Sequence, residues 1–464
     1  MTKKSNRRKL SRRDFLKFAG GTLATAAGAS LIPRYMGKNV LNPSSVEVAS
    51  AQSQPPDLYM AGTDGWIYLP PSPPIYLAGS QPGSSPPIHP DDLAPAPFNA
   101  YMFGFRNITG FSETQKLGQK MKAQHSAPLF WVNQYDPNNP VDFRLQLTNL
   151  GLAMRPDLID AHTLHWHGFR NAIPFFDGEP AGSVSVPIGR DFTYVYRPHE
   201  PGTYMYHCHV EDVEHVHMGM TGLVFVRPLQ DGNTTLYASG KYAYNDGDGS
   251  TGFDREFAMF LSEFWAESHW ADSHVQLPEW SDYKADFYML NGRVYPDTLA
   301  PNAPINEAAS LHYLAVETDA TGDLLPPPGR PDLQYQPHSS LVTCNAGERV
   351  LLRFANLGFE RQSMSLAGIE MKVVGKDATL LRSDRDGTDF SFSTNTIPIG
   401  AGESYDVIFE APAYQGPGPY DTYLLYNRNY RSSNNLDGSG YGGQMTEVHV
   451  YPAGTLGDQS LPNT

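Results

Sequence analysis

Gly202-Thr203-Tyr204-Met205-Tyr206-His207-Cys208-His209 is an unbroken run of strand-forming and ligand-type residues, and eleven positions after His209 the chain reaches Met220 through His215, His217 and Met218. Read as a β-strand, the run sends successive side chains to opposite faces, so His207 and His209 share one face and Cys208 takes the other. An earlier segment, Ala161-His162-Thr163-Leu164-His165-Trp166-His167-Gly168, sorts the same way. His165 and His167 fall together, and His162 lies opposite. Parity therefore predicts two separate groups: Cys208 with His162, and His165, His167, His207 and His209.

Imidazole, thiolate and thioether together are what copper takes, and a His₂Cys set with a weak axial Met is a blue-copper site. Any one of these histidines alone would be better read as a core or surface residue. The ensemble would not. For the loop ligand there are two candidates: His215 stands seven residues after Cys208 and five before Met220, whereas His217 stands three before it. Trp166 reads as packing, and Asp177 either hydrogen-bonds water at the histidine group or simply forms an Asp-Gly turn.

Around these motifs, Val141, Phe143, Leu145 and Leu147 alternate with Asp142, Arg144, Gln146 and Thr148, the period-2 pattern of a half-buried strand. Asp191–Arg197, Gly202–His209 and Thr221–Arg227 continue the strand series between Gly/Pro turns. A second block offers strands at 256–264, 287–294, 349–356, 371–375 and 405–410. Val141–Asn149 and Val350–Asn356 both run into a loop at an Asn, which suggests two related units. The 464 residues, with 12% aromatics, 42 Gly and 39 Pro, favour many short strands over long helices. The predicted fold is all-β, with two Greek-key β-sandwich domains at 125–230 and 255–453. A linker at 231–254, a tail at 454–464 and a Pro-rich arm at 52–124 complete the chain, and no core element is expected between Trp66 and Phe98.

The net charge is −15, yet residues 1–51 hold ten Lys/Arg against two Asp/Glu, so the rest of the chain stands at −23. An acidic body of this kind excludes nucleic acid and anionic membrane as the main partner. The basic start is followed by an apolar run from Phe18 to Ile32, too short to span a membrane. Ser11-Arg12-Arg13-Asp14-Phe15-Leu16-Lys17 resembles a twin-arginine export signal, which implies a periplasmic or extracellular protein. Cys208 and Cys344 are the two cysteines. Cys344 reads as a buried thiol, with a Cys208–Cys344 disulfide as the alternative to copper.

The motif order itself resembles the multicopper oxidase superfamily. His165-Trp166-His167-Gly168, Asp177-Gly178, Ser185-Val186-Pro187-Ile188 and Gly202-Thr203-Tyr204-Met205-Tyr206-His207 follow that family's first cupredoxin domain. His215-Val216-His217-Met218-Gly219-Met220-Thr221-Gly222 is similar to the type 1 copper loop of copper nitrite reductases and two-domain multicopper oxidases. The resemblance implies type 1 copper held by His162, Cys208, His215 and Met220, because the family uses a five-residue His-to-Met step. It also implies type 2 or type 3 copper at His165, His167, His207 and His209. The Cys-to-His interval is two residues longer than the family's usual one.

Residues 349–356, 363–374 and 401–410 resemble a noncatalytic cupredoxin domain. This second domain has no His-X-His pair, and Arg361-Gln362-Ser363-Met364-Ser365 stands where a nitrite reductase would present its type 2 histidine. His165 replaces that family's catalytic Asp. Single histidines (His199, His269, His274, His338) leave open a site between subunits, in the homotrimer common among two-domain relatives. The reading is an exported copper oxidoreductase that takes electrons from a small molecule, metal ion or redox protein and passes them to dioxygen or a nitrogen oxide. Its alternative is a type 1 copper carrier without turnover.

Overall fold

The computed structural model describes residues 54–464 apart from 71, 78, 81–85 and 437–439. The leader expected at 1–51, with its twin-arginine segment, lies outside the described residues. Eight strands build the first sandwich: β1 (Leu58–Ile67), β2 (Ala100–Asn107), β3 (Phe130–Asn133), β4 (Phe143–Gly151), β5 (His165–His167), β6 (Asp191–Tyr196), β7 (Gly202–His207) and β8 (Thr221–Arg227). One sheet has the order β2-β1-β4-β6 and the other β3-β8-β7-β5. Along β4, Phe143, Leu145 and Leu147 are buried and the residues between them half-buried. That alternation aims one face of the strand at a core of Phe130, Trp166, Tyr194, Tyr196 and Tyr206 between the sheets.

The second sandwich uses β9 (Arg255–Phe264), β10 (Phe287–Leu290), β11 (Val342–Asn345), β12 (Arg349–Asn356), β13 (Gln362–Leu366) and β14 (Met371–Lys376). It continues through β15 (Thr379–Leu380), β16 (Phe392–Thr394), β17 (Thr396–Ile399), β18 (Ser404–Glu410), β19 (Asp421–Asn427) and β20 (Met445–Tyr451). Its topology repeats that of the first: β1 runs parallel to β4 as β9 does to β12, and β3 parallel to β8 as β11 does to β20. The two asparagines seen in the sequence do the same work in each unit. Asn149 Oδ1 accepts from Gly151 N–H while its Nδ2 donates to Asp160 O and Val186 O. Asn356 Oδ1 accepts from Gly358 N–H while its Nδ2 donates to Glu360 O and Ile399 O.

Two expectations need correction. The segment read as a Pro-rich arm without a core element contains two strands, β1 and β2, and a short helix at Glu113–Leu117, and its Ile67, Leu69 and Ile88 are buried against Phe264 and Phe287. Proline density there reports the loops between the strands and masks the apolar residues set among them. The strand expected at 287–294 stops at Leu290, because Asn291 and Gly292 turn the chain with positive φ and close Leu290 onto Arg293. Cys344 is a free, buried thiol as the sequence suggested, and Cys208 is free and buried too, so the alternative disulfide does not form.

The 231–254 linker is packed: Tyr244 and Phe253 join Leu351, Val374 and Ile408 in an apolar cluster. In the tail, Gln459 Oε1 and Asn463 Oδ1 accept from Glu256 and Ala258 N–H on β9. The two sandwiches meet through Leu129, Met205, Leu223 and Phe225 against Ala258, Phe260 and Ala355. At the same interface the fully buried Arg353 lies between Glu256 (3.1 Å) and Asp406 (3.2 Å), with its guanidinium 4.4 Å from the Phe225 ring centroid. A buried charge so paired is costly to disturb, since removing one partner leaves the other uncompensated.

Candidate metal centre

The β7 run ends as parity predicts, with its side chains divided between two places. On one side Cys208 Sγ lies 3.2 Å from His215 Nδ1 and 4.0 Å from His162 Nδ1, all three residues fully buried. Their ligand atoms lie within 4.8 Å of one another. His162 is held by mutual backbone bonds with Val186, and Thr163 N–H points at Cys208 Sγ from 3.4 Å. Met220 is also fully buried, and Gly62 of β1 explains how it reaches the group: a Cβ there would meet His162 Cδ2 at 2.7 Å and Met220 Cε at 3.1 Å. Glycine leaves the space that the imidazole and thioether fill.

The two extra residues of the Cys-to-His interval are taken up by a short helix, Asp212–His217, entered through Glu211 in the left-handed region. Two helical steps rotate a side chain by about 200°, so His215 and His217 leave on opposite sides. His215 turns to the thiol. His217 turns to the second domain, where its Nε2 accepts Trp265 N–H and its ring sits among Trp280, Tyr283 and Phe359. His217 therefore has no path to Cys208.

Burial alone would raise the Cys208 thiol, but the charge of His215 and hydrogen bonds from His162 and His215 outweigh it and hold the thiol well below its usual range. His215 moves oppositely: burial would lower it, yet the thiolate and Asp160 push it up to about 10. Asp160 Oδ2 lies 3.4 Å from His215 Nε2, an orienting carboxylate that the sequence reading missed. A thiolate with two Nδ1 atoms turned toward it and a thioether alongside is the donor chemistry of type 1 copper. These residues fit that ion.

On the other face, His165, His167 and His207 present ligand atoms within 4.8 Å of one another. The His209 ring centroid is 5.1 Å from that of His165 and 5.4 Å from that of His207. His165 Nδ1 donates to Asp177 O at 2.7 Å and His207 Nδ1 to Cys208 O at 2.8 Å, which leaves Nε2 of each ring to face the others. Asp177 thus acts through its backbone carbonyl. His167 Nδ1 stands 3.4 Å from His207 Nε2. Burial, reinforced by the neighbouring imidazoles, lowers His207 to about 3 and also lowers His165 and His167. Neutral imidazoles are the form a metal needs, so these three rings, with His209 beside them, fit copper as well. Trp166 is packing, stacked 4.3 Å from Tyr196.

With this geometry in view, the comparisons are informative. The family described as multicopper oxidase matches residues 116–231 and again 256–451, about two-thirds of the chain. The chain belongs to the multicopper oxidase family. It is a copper-dependent oxidoreductase, and both sandwiches are cupredoxin domains. Among solved structures it is similar to a blue copper oxidase from Nitrosomonas europaea, at 19% identity and a TM-score of 0.51 over 84% of this chain and 85% of that one. It is similar also to the multicopper oxidase mgLAC, at 20% identity and 0.52 over 86% and 87%. A copper nitrite reductase from Nitrosomonas europaea matches at 14% identity and 0.47 over 88% and 96%. No curated protein matches.

In this multicopper oxidase the second domain's counterpart of each ligand follows from register. β5 pairs His165 with His207, and β13 pairs Ser365 with Tyr426. Likewise His207 faces Thr221 and Tyr426 faces Met445. Gln362 thus stands for His162, Asn427 for Cys208 and Gln444 for Met220. The three amides hydrogen-bond together: Asn427 Nδ2 donates to Gln362 Oε1 (2.5 Å) and Gln444 Oε1 (2.7 Å), and Gln362 Nε2 to Glu263 Oε1 (2.7 Å). The tetrad's counterparts are Ser365, Ala367, Tyr426 and Arg428, with no ligand among them. The single histidines are placed as follows within the chain. His269 is buried with its ring stacked 3.9 Å from Phe264, and His338 is buried too. Both rings are packed inside the single chain. His199 is exposed beside Tyr135, and His274 pairs with Asp92.

Proposed function

We propose that this multicopper oxidase holds type 1 copper with His162, Cys208, His215 and Met220 and further copper with His165, His167, His207 and His209. Copper at the two sites would supply one-electron chemistry, accepting electrons from an outside donor and reducing dioxygen or a nitrogen oxide. The observation that carries this reading is the placement of Cys208 between His207 and His209: adjacent residues on opposite faces give the two sites an unbroken covalent path with no through-space jump. Asp160 orients His215, Asp177 O and Cys208 O fix the tautomers of His165 and His207, and burial holds His165, His167 and His207 below the ordinary imidazole range.

Export by the twin-arginine pathway to the periplasm or beyond belongs to the same proposal, supported by the Ser11–Lys17 segment. Among the described residues no helix is long and apolar enough to cross a membrane. The test is the double variant His207→Ala/His209→Ala, which should lose turnover while keeping the type 1 absorption band. A variant that remains fully active would refute the tetrad's role. A second reading, an electron carrier without turnover, is favoured by the ligand-free counterpart positions of the second domain. It predicts about one copper per chain.

A further inference from the structure

A third gathering of metal-binding groups lies apart from both copper sites, where the segment before β2 meets the end of α1 (Ala266–Ser273). Asp91, Asp92 and His274 each offer one ligand atom, all within 4.8 Å of one another. His274 is fixed by groups outside the trio: its ring stacks 4.3 Å from that of Trp270, and its Nδ1 lies 2.9 Å from Trp270 O. Nδ1 also lies 2.9 Å from Ser273 Oγ, whose own hydrogen goes to Asp91 Oδ2 at 2.5 Å, so both neighbours of Nδ1 are acceptors; Nδ1 carries the proton and Nε2 is left with a lone pair. That lone pair faces another acceptor, Asp92 Oδ1, at 3.2 Å. Two acceptors so placed need a cation. Two ligands held at about 2.0–2.2 Å on a tetrahedral ion stand roughly 3.3 Å apart, so the spacing suits a metal as well as a proton.

Asp91 adds the second observation. It is only 7% exposed, and its oxygens accept from Ser273 Oγ at 2.5 Å and Leu93 N–H at 2.9 Å, yet it has no ion pair with any cationic side chain among the described residues. A carboxylate buried without a counter-ion is costly, and burial pushes its carboxyl up. A divalent cation shared with Asp92 and His274 would remove that cost.

We propose that Asp91, Asp92 and His274 form a binding site for a divalent ion of imidazole-and-carboxylate preference, of which zinc is the type. Such an ion ties the segment before β2 to the end of the α1 helix, across 182 residues of chain. The site is distinct from the copper centres and takes no part in electron transfer.

The experiment uses copper-loaded protein, so that the other ligand sets are filled, and titrates Zn²⁺ by calorimetry with melting temperature read in parallel. The expected result is one zinc per chain and a raised melting temperature. Asp92→Asn, whose side chain is 51% exposed and therefore dispensable for folding, should weaken zinc binding at least about tenfold and abolish the shift. His274→Gln should do the same, with the type 1 band unchanged in both. No zinc binding by the wild type, or equal binding by wild type and Asp92→Asn, would overturn the proposal and leave His274 and Asp92 as an ordinary ion pair.

Discussion

Replacing Gly402 by Ala tests how the second domain closes over the histidine tetrad. Gly402 has φ +77, and a Cβ there would stand 2.8 Å from His167 Nε2. Two costs follow. An L-residue forced into the left-handed region loses about 1–2 kcal/mol. The imidazole must also move, and overfilling a packed site costs about 1–3 kcal/mol more. Gly347 provides the control, since it has φ +85 with nothing within 4 Å of an added Cβ and so bears the backbone cost alone. Urea denaturation of metal-free protein should therefore show a loss of about 2–5 kcal/mol for Gly402→Ala and about 1–2 kcal/mol for Gly347→Ala. Because the displaced ring is a proposed ligand, only Gly402→Ala should change the electron paramagnetic resonance of tetrad-bound copper. Equal destabilisation by the two variants, with unchanged spectra, would refute the claim that Gly402 sets the position of His167.

Further expectations follow from the same geometry. His215→Ala should abolish the blue or green charge-transfer band whereas His217→Ala should keep it, because the helix turns the two imidazoles apart; visible absorption decides. Met220→Leu should keep the colour and raise the reduction potential, measured by redox titration, since the axial thioether tunes the site more than it holds it. Asn427→Ala should destabilise the protein by about 1–3 kcal/mol for each buried amide left without its partner, as read from denaturant midpoints. Stability should also fall in acid. His89 and His125 are lowered by burial to about 4 and His338 to about 3, against an ordinary 6.5. The unfolded chain takes up protons that the folded state refuses, so stability is fully present above 6.5 and is lost as pH falls toward 4. The loss approaches about 1.4 kcal/mol per pH unit for each of the three, and a flat profile between pH 6 and 4.5 would contradict it.

Much of the centre was legible in the sequence because strand parity is a local rule. His207, Cys208 and His209 sort correctly from spacing alone, as do His165 and His167. The five-residue step to Met220 singled out His215 through family resemblance, but what places His215 beside Cys208 and turns His217 away is helical rotation, which the spacing of an irregular loop does not reveal. Asp160, Gly62 and Gly402 were invisible because each acts through a neighbour distant in the chain or across a sheet. The second domain's counterpart positions were not legible: His162 lies thirteen residues after Asn149 but Gln362 only six after Asn356, so counting from the two asparagines does not align them, and Gln362 emerges only from the pairing of β13 with β19. What misled was proline. The stretch from Trp66 to Phe98 reads as an arm by composition, yet β1 and β2, which bound it, pair with each other, and Gly62 of β1 packs against His162 and Met220.

The central claim is that one short segment divides its side chains between two metal sites. Copper analysis with electron paramagnetic resonance, on the wild type and on Cys208→Ser, tests it directly. The wild type should hold at least two coppers per chain with two distinct signals, and Cys208→Ser should lose the type 1 signal while keeping the histidine-bound one. A single copper in the wild type that disappears altogether in Cys208→Ser would contradict the account.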